Sequence, residues 1–193
     1  MAKTVEFFFD IGSGASYLAF TQLPKLLARS GADIVYRPML LGAVFKAVQN
    51  PPPPRVKALY ARQDFARFAK RYGVALVHNP HFPVNTLQMM RVAVAAQELA
   101  CLLPYLDAAF AGMWVDARNM GEEAVLRAVL EEAGLDGDAL LGLAADSDVK
   151  ERLKATTEEA IRRGVFGAPS FFVGEEMFWG QDRMDFVEQA ARR

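Results

Sequence analysis

The sequence predicts an α/β fold in which a small sheet is split between the two ends of the chain and the middle is helical. Strand-like runs stand at residues 5–9 and 33–37, and strand signals return after Gly164. A helical pattern separates the first two runs, which marks a βαβ unit with parallel strands. From Pro38 to Arg163, apolar residues recur mostly at helical spacing behind capping residues. These observations divide the 193 residues into a discontinuous sheet domain, 1–38 with 164–193, and an all-helical insertion domain, 39–163.

Taken in order, Val5 to Phe9 is apolar, aromatic and bounded by Asp10 and Gly12, which suits a strand buried on both faces. Residues 16–30 place Tyr17, Leu18, Phe20, Leu23, Leu26 and Leu27 at helical spacing, so one helix kinked at Pro24 is expected, ended by Gly31. A second strand follows at 33–37. Residues 40–48 form a short apolar helix. The prolines at 51–54 form a stiff extended loop, and residues 56–72 a helix of mixed charge capped by Gly73.

Residues 74–77 read as a short extended piece and 78–83 as a turn-rich loop. Asn85 or Thr86 caps a helix to about Cys101, and helices follow at 104–115, 121–133, 136–143 and 146–163. Met113 and Trp114 either pack in the helical core or line a pocket. A loop at 164–169 leads into a strand ending at Val173. Gly174-Glu175-Glu176 turns a hairpin into Met177-Phe178-Trp179, and Asp182 caps a last helix at 184–191.

The chemistry is expected at Asp10-Ile11-Gly12-Ser13-Gly14-Ala15-Ser16, where the first strand delivers Ser13 to a helix start. Unpaired N–H groups and a partial positive charge there stabilise an anion or a thiolate. The spacing of Ser13 and Ser16 is that of a thioredoxin-type dithiol, and the split sheet is the thioredoxin arrangement. Serines form no disulfide, and the single cysteine, Cys101, lies elsewhere in a helical segment. A hydroxyl in a thiolate-stabilising position points to a thiol supplied by a bound cofactor such as glutathione. A serine at a helix start is by itself only a cap worth about 1 kcal/mol, and Ser13 points to chemistry only together with two distant motifs.

Those motifs are Gly164-Val165-Phe166-Gly167-Ala168-Pro169-Ser170 and Phe178-Trp179-Gly180-Gln181-Asp182-Arg183. With the Ser13 stretch, and in the same order, they resemble the 2-hydroxychromene-2-carboxylate isomerase family, which is similar to kappa-class glutathione transferases and DsbA oxidoreductases. The resemblance implies a thioredoxin-like fold with a helical insertion and a glutathione-dependent cis–trans isomerisation of an aromatic ring-cleavage product, in the bacterial breakdown of naphthalene-like compounds. It implies Ser13 as the catalytic residue that holds the glutathione sulfur. Pro169 follows a cis peptide bond, Ala168 pairs its backbone with the cysteinyl part, and Trp179, Gly180, Gln181 and Asp182 hold the γ-glutamyl end. Asn50 and Lys46, with Arg55 and Lys57, are candidates to meet an aromatic, carboxylate-bearing substrate. A homodimer is implied by the family alone.

Gly14 and Ala15 stand where the family usually has proline and an aromatic residue. That change is expected to remove bulk beside the thiolate, loosen the helix start and widen the pocket. Two other classes remain open: a kappa-like transferase conjugating electrophiles, and a non-catalytic thioredoxin-like binding module. A formal net charge of −1 gives no electrostatic reason for nucleic-acid or membrane binding. The N-terminus lacks a signal-peptide pattern, so the cytoplasm is the expected location. His78 and His81 share a loop without further ligands, and no metal site is expected.

Overall fold

The computed structural model describes residues 3–51 and 53–192, so Pro52 of the expected stiff proline loop lies outside the described residues. The chain runs β1 (Thr4–Phe9), α1 (Gly14–Phe20), α2 (Leu23–Ser30), β2 (Asp33–Pro38), α3 (Leu41–Ala47), α4 (Arg55–Tyr72) and α5 (Leu87–Glu98). It continues through α6 (Leu102–Trp114), α7 (Glu123–Glu132), α8 (Gly137–Ala144) and α9 (Ser147–Arg162). The hairpin β3 (Ser170–Val173) and β4 (Glu176–Trp179), a 3-10 turn (Gln181–Arg183) and α10 (Met184–Arg192) complete the fold.

The sheet order is β2-β1-β3-β4, with β1 parallel to β2, antiparallel to β3, and β4 antiparallel to β3. The aromatic run of β1 suits a central strand because each successive ring meets an apolar layer. Val5, Phe7 and Phe9 enter the larger core, which also takes in Met89, Tyr105 and Leu130. Phe8 points the other way, into a smaller cluster with Val44, Val165 and Phe172. Phe7 stacks on Phe171 with ring centroids 5.2 Å apart, its neighbour in the β1–β3 register. Burying each such ring contributes about 1.5–3 kcal/mol, which fixes the end of β1, where Asp10 begins the site.

Ion pairs tie α9 to the sheet. Arg163 and Arg37 both pair with Glu6 and Glu159. The Arg163 guanidinium lies 3.7 Å from the centroid of the Phe172 ring. This cluster anchors the chain where α9 hands over to the loop before β3.

Two expectations are corrected. Residues 16–30 form two helices, not one kinked at Pro24. The N–H groups of Thr21 and Gln22 close α1 on the carbonyls of Tyr17 and Ala19. Pro24 then falls in the first turn of α2, where a missing N–H costs nothing. Residues 74–77, read as a short extended piece, lie in neither helix nor sheet strand, and Val77 N–H donates to Trp114 O at 2.7 Å. Asp182 lies inside the 3-10 turn, which Gly180 opens at φ 99°, and its carboxylate pairs with Arg183. Gly31 and Gly73 end α2 and α4 in the left-handed conformation, as expected.

Candidate active site

Three helix starts converge on the carboxylate of Asp10, at the end of β1. Oδ1 accepts the Gly12 N–H at 2.8 Å, in the turn entering α1. Oδ2 accepts the Leu41 N–H at 2.8 Å, at the first residue of α3, and the Thr86 hydroxyl at 3.0 Å, just before α5. Asp10 is 1% exposed. Burial pushes its carboxyl above the usual range, and the bonds from Leu41, Gly12 and Thr86 offset only part of that. Since the Thr86 hydroxyl serves Asp10, the start of α5 is served by Asn85, whose Oδ1 accepts the Leu87 N–H at 3.1 Å.

Ser13 sits on this turn. Its N–H donates to Asp10 O at 3.0 Å. Its hydroxyl donates to Ala168 O at 2.9 Å and accepts the Ser16 N–H at 3.1 Å, which makes it the N-cap of α1. Ser13 is only 9% exposed. The Ser16 hydroxyl is buried without a hydrogen-bond partner among the described residues.

The expected widening at Gly14 is overturned. A Cβ there would lie 3.3 Å from the rings of Phe65 on α4 and of Trp114 on α6, so two aromatic side chains already fill the space. Trp114 is held in place by its indole N–H, which donates to Ile11 O at 2.8 Å. Both Met113 and Trp114 are buried, and Trp114 serves the core and the site turn together.

The C-terminal motifs meet Ser13 from the other side. The Ala168–Pro169 peptide is cis. The Ala168 N–H has no hydrogen-bond partner among the described residues. Pro169 O accepts the Gly180 N–H at 3.0 Å, linking the loop to the turn after β4. Gly167 packs so tightly under Trp179 that a Cβ would fall 2.4 Å from the indole nitrogen. The Trp179 ring is half exposed and lies 4.9 Å from that of Phe166, centroid to centroid. Gln181 is buried, and its carbonyl accepts the Tyr72 hydroxyl at 3.0 Å, which ties α4 to the turn. Asp182 pairs with Arg183. Gln181 and Asp182 open the 3-10 turn, where N–H groups have no intrahelical acceptor.

Ser13, Ala168, Pro169, Trp179, Gly180, Gln181 and Asp182 are thus brought into one connected group. Lys46 and Asn50 are exposed at and beyond the end of α3, and no hydrogen bond or ion pair among the described residues joins them to it. Arg55 and Lys57 lie exposed at the start of α4. Asp10, Phe65, Tyr72 and Gly167 were not singled out as site residues by sequence reasoning. Asp10 and Gly167 stand within the motif stretches but carried no role of their own there, whereas Phe65 and Tyr72 needed the path of α4. Among the described residues no cluster of three or more His, Cys, Asp or Glu side chains could hold a metal ion. A separate cavity of about 330 Å³, bordered by Gln88, Arg91, Glu123 and Lys150, contains none of the site residues.

The model of the DSBA-like thioredoxin domain family matches residues 4–192. A 2-hydroxychromene-2-carboxylate isomerase of Sphingobium xenophagum is 34% identical, over 97% of each chain. A solved 2-hydroxychromene-2-carboxylate isomerase superimposes with a TM-score of 0.86 at 32% identity, over 97% of this chain and 93% of that one. Human glutathione S-transferase kappa 1 is 28% identical, over 97% of this chain and 90% of its own. The connected Ser13–Ala168–Gln181 group stands on the fold that these proteins share, and the chain belongs to the 2-hydroxychromene-2-carboxylate isomerase family of DsbA-like thioredoxin-domain proteins.

Proposed function

We propose that the protein isomerises 2-hydroxychromene-2-carboxylate or a close aromatic relative, with glutathione as cofactor and Ser13 as the residue that holds its sulfur. Full-length similarity to isomerases of that name supports the reaction, and similarity to kappa-class glutathione S-transferases supports the cofactor. The observation that carries the reading is the contact of the Ser13 hydroxyl with Ala168, beside an N–H that has no partner among the described residues.

The residues fit glutathione in kind. The free Ala168 N–H suits the cysteinyl backbone, as an exposed strand edge suits an added strand. The open N–H groups of Gln181 and Asp182 suit the γ-glutamyl carboxylate, and the Asp182 carboxylate suits its ammonium. When bound, glutathione would supply a thiol that adds to a conjugated double bond, permits rotation and leaves unchanged.

The protein's own part is electrostatic and geometric. The N-terminal end of α1 favours negative charge next to Ser13. Ser13 turns its hydroxyl proton from Ala168 O toward the sulfur, while the Ser16 N–H keeps the Oγ in place. This lowers the thiol pKa and fixes its direction. Phe65 and Trp114 close the side of α1 at Gly14 and exclude water there. Lys46 and Asn50 act on the substrate carboxylate from the α3 side. Assembly as a homodimer in the cytoplasm belongs to the same proposal, and light scattering of the purified protein checks the dimer.

Following the absorbance of 2-hydroxychromene-2-carboxylate, with free thiol assayed in parallel, tests the reading. Conversion that requires glutathione and leaves the thiol titre unchanged is expected. Consumption of thiol in step with substrate would make the protein a conjugating transferase, and conversion at full rate without glutathione would remove the cofactor.

A further inference from the structure

α4 concentrates positive charge that the rest of the chain lacks. Its eighteen residues include Arg55, Lys57, Arg62, Arg67, Lys70 and Arg71 against the single acid Asp64. The helix is therefore +5 in a chain whose formal net charge is −1, and the remainder carries −6. All six basic residues are exposed. One ion pair involves them among the described residues, Arg67 with Asp64 at 3.5 Å.

The helix is also placed along the site. It begins just beyond the segment that carries Asn50. Phe65, near its middle, packs at Gly14 beside Ser13. Its last residue, Tyr72, holds the carbonyl of Gln181. The charge of Arg62 reaches the neighbouring loop, where burial first and Arg62 second push the His78 imidazole below its usual value.

From this placement we infer that α4 is an electrostatic collector that draws carboxylate-bearing aromatic ligands toward the Ser13 site before any direct contact is made. An excess of charge of one sign beside a binding site raises the local concentration of oppositely charged ligand, and salt screens the effect. A salt-bridged surface helix would show its cations matched by acids at neighbouring positions, and α4 has one acid for six. The inference rests on the anionic aromatic substrate proposed above, and its test does not need turnover.

The probes are 2-naphthoate and its neutral counterpart 2-naphthamide, titrated calorimetrically into the full chain at about 20 mM and about 500 mM salt. The collecting variant is Lys57→Gln with Arg62→Gln and Lys70→Gln. A charge-matched control carries Lys25→Gln, Lys150→Gln and Lys154→Gln on α2 and α9. At low salt the wild type and the control are expected to bind naphthoate about 3- to 10-fold more tightly than the collecting variant, with the difference gone at high salt. Naphthamide should show no such dependence. Equal salt dependence in all three proteins, or a loss in the variant that persists at high salt, overturns the inference. Should the wild type fail to convert hydroxychromene carboxylate yet show this naphthoate pattern, the isomerase reading fails and the collector stands.

Discussion

The Ser13 hydroxyl donates to the carbonyl of Ala168 across 155 residues of sequence, at 2.9 Å. This bond joins the first helix to the loop before β3, and the same oxygen accepts the Ser16 N–H. A hydroxyl with both roles is a structural cap and a chemical group at once. Ser13→Ala is expected to cost about 1–2 kcal/mol of stability in urea, since it leaves the Ala168 carbonyl and the Ser16 N–H unpaired. It should also lower kcat far more than it raises the KM for substrate. A variant with normal kcat would reduce Ser13 to a cap.

Gly14 is small because its surroundings are full. Proline suits the first position of a helix, but at residue 14 its ring would meet Phe65 and Trp114. Gly14→Pro is expected to destabilise by about 1–3 kcal/mol, and Phe65→Leu in the same chain should recover part of it. Additive losses in thermal denaturation would show that Phe65 does not set the space.

Gly167 and Trp179 form a second tight contact. Gly167→Ala must displace the indole or the loop. Glutathione affinity is expected to fall by at least 10-fold, and adding Trp179→Ala should make the two changes non-additive. Independent effects would place Trp179 outside the binding surface.

Asp10 supplies a pH signature. Its folded-state pKa is raised by burial, so the folded chain holds this proton to higher pH than the unfolded chain does. Its contribution to stability is present in full below the ordinary Asp value and is lost as pH rises through the raised one. The wild type should therefore gain melting temperature relative to Asp10→Asn as pH falls from neutrality toward about 4. A difference that is flat over that range would mean that Asp10 titrates normally.

Much of this was legible in the chain. The aromatic run of β1, the turn at Gly12 and the hairpin at Gly174 carry local signals, and Ser13, Ala168 and Gln181 were brought together by motif order. The break at Thr21 and Gln22, just before Pro24, was missed because helical spacing continues through it, and only the carbonyl partners of Thr21 and Gln22 reveal two helices. The filling of the space at Gly14 was also illegible. It depends on where α4 and α6 send Phe65 and Trp114, and a long-range path of that kind leaves no periodic mark on the sequence. Asp10 is polar and stands at a strand end, where a solvent-facing turn residue is the ordinary expectation. Its burial follows from Leu41 and Thr86 arriving from distant segments.

Central to the proposed function is that Ser13 holds the thiol of bound glutathione. The direct measurement is calorimetric binding of glutathione to the wild type, Ser13→Ala and Asp182→Ala, with ultraviolet titration of the bound thiol. Binding to the wild type is expected with a thiol pKa below that of free glutathione, with a return of that pKa upward in Ser13→Ala and weaker binding in Asp182→Ala. No binding to the wild type at millimolar glutathione, or a thiol pKa unmoved by Ser13→Ala, would contradict it.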